Sequence, residues 1–218
     1  MKCANGVAVF LGVALVAGCA AYGVGGQVYA GRRALLINDH ETALGYFVTA
    51  AQANPDYVYS FVHFREGIWT YVGRTQYSTK RYREAQESLE RALKMDRDDN
   101  LARLYYGLTL IRTGESSRGV KEIESAMKGT HEFLEYTERT APFRAFWDPL
   151  REIRGAIEKD LAVVSGKDFD PEQLIANAEW LGKRMEEEVE HVRSDERRQW
   201  DRDFERRRGL SVGVGIGF

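Results

Sequence analysis

The side chains best able to move a proton or hold a metal are four histidines, His40, His63, His131 and His191, and they share no spacing. One of them closes Glu188-Val189-Glu190-His191. On a helix that spacing puts a carboxylate and an imidazole on one face, as in di-iron bundles, but such a centre uses two copies and two further glutamates. With one copy, on a strongly charged segment, the expectation is a solvated histidine beside a glutamate and no metal site. G-x-S-x-G, H-E-x-x-H, P-loop and Rossmann glycine patterns are absent. Gly213-x-Gly215-x-Gly217 has no helix after it to turn its amides on a phosphate. Any two of the 33 acidic residues could meet as a glycosidase pair, and nothing selects which. No catalytic residue and no cofactor are expected. Two arginines remain, Arg74 and Arg112, whose guanidinium groups can hold a carboxylate bidentately. The plainer expectation for them is pairing with nearby glutamates.

These side chains have to be positioned by helices, and the helices are written periodically. Between Glu66 and Phe133, Gly73 recurs as Gly107, Ala85 as Gly119 and Ala92 as Ala126, each 34 residues on. An earlier copy runs through Gly31, Ala43, Phe47, Ala50 and Pro55, with an eight-residue insertion before the next unit. Small residues at such points let the two backbones of a helical pair approach. Asn38-Asp39, Ser78-Thr79-Lys80 and Thr113-Gly114-Glu115-Ser116 punctuate the pairs, with Asp39 as an N-cap. Expected helices run from Gln27 to Ile37 and from His40 to Asn54. One long helix from Asp56 to Tyr77 would absorb the insertion, its stripe being Val58, Phe61, Val62, Trp69 and Val72, and Lys80 to Met95 is its partner.

Trp69-Thr70-Tyr71-Val72-Gly73, followed by Ala85, Leu89 and Ala92, resembles the tetratricopeptide repeat, with Val72 for Leu, Gln76 for Tyr and Arg97 for Pro. The resemblance covers about Gln27 to Lys128. It implies an all-α helical-hairpin solenoid that binds proteins or peptides in a groove and carries no reaction of its own. Groove positions in the second unit are Gly67, Thr70, Arg74, Tyr77 and Ser78, a polar set. In the third they are Leu101, Leu104, Leu108, Ile111 and Arg112, an apolar stripe that must be covered. Its cover is either the chain's own C-terminal helices or a docked partner helix or strand. Arg74, Tyr77, Leu104, Leu108 and Arg112 are thus the candidate partner-binding groove.

Beyond Lys128 the period fades into a C-terminal helical extension, residues 129–208. Glu132 to Arg139 is a short helix, and Pro142 to Trp147 an aromatic turn plugging the end of the repeats. Asp148-Pro149 starts a helix to about Ser165 as N-cap and N1. Asp170-Pro171-Glu172-Gln173 starts another, with Gln at N3 as in a capping box. That last helix extends to about Arg208 with the stripe Leu174, Ala178, Leu181, Met185, Val189, Val192, Trp200 and Phe204, which Glu196 interrupts. Its other faces carry Glu and Arg at i,i+4 spacing, the pattern of a solvated surface. The apolar part is expected to pack on the repeats and the end from Arg197 to Arg208 to project. In the tail, residues 209–218, Leu210, Val212, Val214, Ile216 and Phe218 alternate with Ser and Gly, a period of two. This resembles the last strand of outer-membrane barrels. One strand cannot close a barrel, so the choices are a disordered or locally docked tail, a strand given to a partner or an oligomer, or a membrane strand.

The amino-terminal segment reads as an address. Met1-Lys2, the apolar run from Val7 to Val16 and Val16-Ala17-Gly18-Cys19 resemble a bacterial lipoprotein signal with its lipobox. The resemblance implies removal of residues 1–18, acylation of Cys19, mature repeats over 19–128 and, with Ala20 rather than Asp next, the periplasmic side of the outer membrane. The competing expectation is an uncleaved inner-membrane signal anchor. Ala4 to Gly31 holds no charge, and Gly23, Gly25, Gly26 and Gly31 could form the small-residue face of a spanning helix. A net charge of −2 gives no basic footprint for nucleic acid, and both cysteines, Cys3 and Cys19, lie in this segment, so there is no disulfide framework. The expected role is a lipid-anchored scaffold or adaptor for envelope proteins or peptides. The rivals are a component of an outer-membrane export or pore assembly giving its C-terminal strand, and an accessory of cell-wall enzymes.

Overall fold

Three glycines decide how the first six helices close on one another. The computed structural model describes residues 23–61, 63–140, 147–166 and 170–212. Helices α1 (Val24–Leu36) and α2 (His40–Ala53), α3 (Ile68–Ser78) and α4 (Tyr82–Met95), and α5 (Asn100–Arg112) and α6 (Ser116–Thr140) form three consecutive hairpins. A Cβ added at Gly31 would lie 2.5 Å from the Phe47 ring, one at Gly73 2.5 Å from Leu89, and one at Gly107 2.8 Å from the Ile123 side chain. Each glycine thus faces the residue 16 positions on, so the spacing in the sequence is the spacing of one repeated helix crossing. Ala43, Ala85, Ala50, Ala92 and Ala126 are buried on the opposing helices.

The turns repeat as closely as the crossings. Asn38, Lys80 and Gly114 each adopt positive φ, at 59°, 62° and 99°. In each case that residue's N–H donates to the carbonyl three back, and the next N–H to the carbonyl five before itself, as in Asp39 N–H to Ala34 O at 2.9 Å. This is the Schellman arrangement, which satisfies the last carbonyls of one helix while the chain turns into the next. Asp39 then caps α2 by accepting from Thr42 N at 3.2 Å, as its type and place predict.

The insertion is the first departure from expectation. In place of one long helix from Asp56 to Tyr77 there is a β-hairpin, β1 (Val58–Phe61) and β2 (Phe64–Gly67), before α3 begins at Ile68. The strands pair antiparallel with Tyr59 opposite Glu66 and Phe61 opposite Phe64. Val58 and Phe61 also fit a helical stripe, but this run is rich in β-branched and aromatic residues, which suit a half-buried pleat better than a helix. Phe64 and Glu66 point inward from β2, Phe64 against Trp147 and Phe133.

The C-terminal elements differ in smaller ways. α6 is continuous through Thr140, because Ile123, Met127, Thr130, Leu134 and Thr137 keep one buried stripe at helical spacing. α7 spans Glu152–Ser165, starting later than Asp148-Pro149 suggests. Asp148 takes a positive φ of 47° and reaches forward, its carboxylate accepting from Ile153 N at 2.9 Å and Arg154 N at 3.0 Å. α8 (Pro171–Val212) begins with Asp170 accepting from Glu172 N at 2.9 Å, but Gln173 donates to Asn177 and leaves the capping box half made.

α8 takes in Leu210 and Val212, so these two positions are helix and not strand. The helix elongates at one bond per residue until the glycine-rich positions begin. The rest of the alternation, 213–218, lies outside the described residues, as do Pro142 to Phe146. Trp147 is buried against Phe64 and Phe133. At the other end, α1 begins inside the uncharged run, and Gly31 packs on Phe47 in the first hairpin rather than on a membrane neighbour. Cys19 and the rest of the leader precede the described residues. Among those residues no helix is long and apolar enough to cross a membrane.

Candidate functional site

α1, α3 and α5 present one shared face, and α8 lies across it. Leu174, Leu181, Met185 and Val192 of α8 join Leu104, Leu108 and Leu110 of α5 in the main apolar core. Gly182 lets the helix come close, since a Cβ there would lie 2.5 Å from the Tyr105 hydroxyl. A second stripe of α8, turned slightly from the apolar one, carries Glu172, Glu179, Glu186 and Glu190. Each meets an arginine of the hairpins. Glu172 and Glu179 approach Arg112 of α5 at 3.7 and 3.5 Å. Glu186 pairs with Arg74 of α3 and, at 2.8 Å, with Arg32 of α1. Glu190 lies 2.9 Å from Arg32, and Arg193 stacks over Tyr29. The helix therefore runs from α5 over α3 to α1, meeting one arginine from each hairpin.

The middle of this seam is shut from water. Arg32, Arg74, Glu66 and Glu186 are each 3% exposed or less, except Glu186 at 5%. Burial works against the charge on Glu186, but Arg74 and Arg32 outweigh it and hold the carboxyl below its usual range. Burial works equally against Arg32 and Arg74, and neighbouring tyrosines and glutamates keep both firmly cationic. Glu66 is the reverse case. Its nearest cation, Arg74 Nη1, is 3.3 Å away, and neither carboxylate oxygen accepts a hydrogen bond among the described residues. Burial, with Glu186 adding repulsion, pushes its pKa up to about 8 against the pull of Arg74. The cluster sets two guanidinium groups against Glu186 and Glu190, while burial biases Glu66 towards its neutral form. Breaking such a buried set costs far more than removing a surface pair, because a charge is left stranded.

Beside the cluster, between the C-terminal ends of α1 and α3 and the flank of α8, is a cavity of about 440 Å³. Three of the sequence-derived groove residues line it: Arg74, Tyr77 and Arg112. Tyr77 donates its hydroxyl to Glu179 at 2.6 Å and receives Arg112 Nε at 3.5 Å. Burial and the Glu179 bond raise its pKa. The other two, Leu104 and Leu108, are wholly buried in the core. As an open groove for a partner the five are therefore not available, since the chain's own α8 occupies their face. The two arginines do grip carboxylates, those of α8. Cys19 lies outside the described residues.

A second buried network anchors the far side of α8. Glu188 accepts from Asp148 N at 2.5 Å, and Asp148 holds Arg154 Nε at 3.1 Å, while Arg154 also pairs with Glu138 and with Glu135 at 3.1 Å. The Glu-x-x-His motif is thus split. His191 is solvated with Nδ1 at 3.7 Å from Glu188, whereas Glu188 is buried and ties α8 to the start of α7. No group of His, Cys, Asp and Glu among the described residues is arranged to hold a metal.

Sequence reasoning passes over Glu66, because it sits in the unrecognised hairpin, and Glu186, because it lies among surface-like charges. Gly182, four residues before Glu186 on the same face, is the local sign of close approach. No protein-family model matches the chain, and no curated protein matches it.

Proposed function

We propose that this chain is a noncatalytic, lipid-anchored scaffold of tetratricopeptide-like hairpins on the periplasmic side of the outer membrane, where it binds protein partners and supports assembly of an envelope complex. The address rests on the lipobox-like segment ending at Cys19, and the repeat reading on the three matched crossings and turns. The partner is met by the distal half of α8. The observation that carries this is where burial stops: Val192 is buried, yet the helix continues to Val212, and Trp200 is 69% exposed, stacked on Phe204. Twenty residues of helix extend about 30 Å. Aromatic and arginine side chains, which dominate protein interfaces, are what this arm carries. The hairpins serve as the clamp that fixes it.

Two experiments test the parts separately. Cys19→Ser removes a lipid-modified mature mass and releases the protein from the membrane fraction; an unchanged, full-length, membrane-bound variant would mean a signal anchor instead. A photoreactive phenylalanine analogue at Trp200 crosslinks to an envelope protein in intact cells, whereas the same group at Leu181 crosslinks only within the chain. Silence at 200 and at exposed positions 197, 201 and 206 overturns the distal helix as the docking element. A pore component donating its C-terminal strand is less well supported. Leu210 and Val212, two of its five alternating apolar positions, lie in α8.

A further inference from the structure

The cavity beside the buried cluster has a charge surplus that the protein itself leaves unanswered. Three acids line it, and each is already held by an arginine: Glu179 by Arg112 at 3.5 Å, Glu186 by Arg32 and Arg74, and Glu187 by Arg184 at 3.1 Å. Lys80 and Lys183 also line it, one from the turn after α3 and one from α8, and neither makes an ion pair among the described residues. The remaining wall is apolar and aromatic, formed by Leu35, Leu36, Tyr82 and Tyr105 with the ring of Tyr77. At about 440 Å³ the space has the size and the mixed lining of a small-molecule site.

We infer that this cavity binds a small organic anion, its acidic group held by Lys80 and Lys183, its apolar body packed against the tyrosines. The acidic group makes no use of Arg112, which Glu179 already occupies. Because Lys80 belongs to a hairpin turn and Lys183 to α8, the bound anion ties the two together. The assignment does not rest on the scaffold reading, since the cavity lies on the proximal half of α8 and the proposed docking arm on the distal half.

The test compares two fluorescent probes of nearly the same shape, anilinonaphthalene sulfonate and the uncharged N-phenylnaphthylamine, titrated into the wild-type protein and into Lys80→Met/Lys183→Met. The expected result is one sulfonate probe bound per chain, an affinity about tenfold lower in the double variant, as the loss of two modest ion pairs implies, and weaker binding of the neutral probe that the substitutions do not change. Unchanged far-ultraviolet circular dichroism and thermal midpoint in the variant show that the fold is intact; should they shift, Lys80→Arg/Lys183→Arg, which keeps the charge, must retain the sulfonate affinity. Equal binding of the two probes, several sulfonate probes per chain, or an affinity indifferent to the double substitution overturns the site.

Discussion

Glu186 is the side chain on which the docking of α8 turns, because it bridges two buried arginines from different hairpins. Glu186→Gln leaves Arg32 and Arg74 with insufficient counter-charge, and a loss of about 3–5 kcal/mol is expected from stranding a buried charge. Urea denaturation at neutral pH measures it, and a loss below about 1 kcal/mol, the range of a surface pair, would show the seam to be open to water. Glu66 gives the opposite behaviour. Its folded-state pKa, about 8, lies above the ordinary 4.5, so across that window the folded chain holds a proton that the unfolded chain has released. Stability from this group is therefore greatest below pH 4.5 and falls as pH rises towards 8. Glu66→Gln keeps a neutral side chain at every pH. Its stability relative to the parent should rise by at least about 1 kcal/mol between pH 5 and pH 9, and a difference that stays flat would refute the neutral-acid assignment.

At the scale of elements, the hairpins share a turn that their sequences suit unequally. Gly114 meets the left-handed backbone without cost and Asn38 nearly so, but Lys80 carries a Cβ into φ 62°. Lys80→Gly should stabilise the chain by about 1 kcal/mol, the usual penalty of that conformation, while weakening sulfonate binding in the cavity by less than the double substitution does. A thermal midpoint that falls would mean the lysine is holding the turn. The crossings differ as well. A Cβ at Gly31 would press on the side chain of Phe47, whereas at Gly107 it would lie 2.7 Å from the Gly119 carbonyl and 2.9 Å from the Ile123 nitrogen, both backbone atoms. Helix propensity favours alanine at both by up to about 1 kcal/mol. Gly107→Ala nevertheless should lose about 1–3 kcal/mol through forced backbone separation, and clearly more than Gly31→Ala, as parallel melts would show.

At the scale of the molecule, α8 is two things in one helix. Amide exchange should be slow from about Leu174 to Val192, which pack into the core, and fast from Asp195 onward, where burial ends. Truncation after Arg193 should leave the thermal transition of the body within a few degrees of the parent. Truncation before Pro171 removes Glu186 together with Leu181 and Met185, uncovering Leu104 and Leu108, and should give an aggregating chain. If the shorter chain folds cooperatively, the hairpins do not need α8.

What the sequence settled alone is what short-range chemistry settles. Small residues recurring 34 positions apart, the polar turns between the pairs, Asp39 as a cap and the interruption of the apolar stripe at Glu196 are all local patterns, so the hairpin helices are legible in order. The insertion was less so, because Val58 and Phe61, three residues apart, satisfy a helical stripe although the pleat puts them on opposite faces, and the strand alternation shows only in the inward Phe64 and Glu66. The seam was legible only in part: Arg74 and Arg112 stood out as partners for carboxylates, but not which carboxylates they meet. Glu186 and Arg32 stand 154 residues apart, and nothing near either tells it from an exposed residue in a helical ion pair. Only the tertiary structure, by laying one helix across three, makes those charges meet where water cannot reach them.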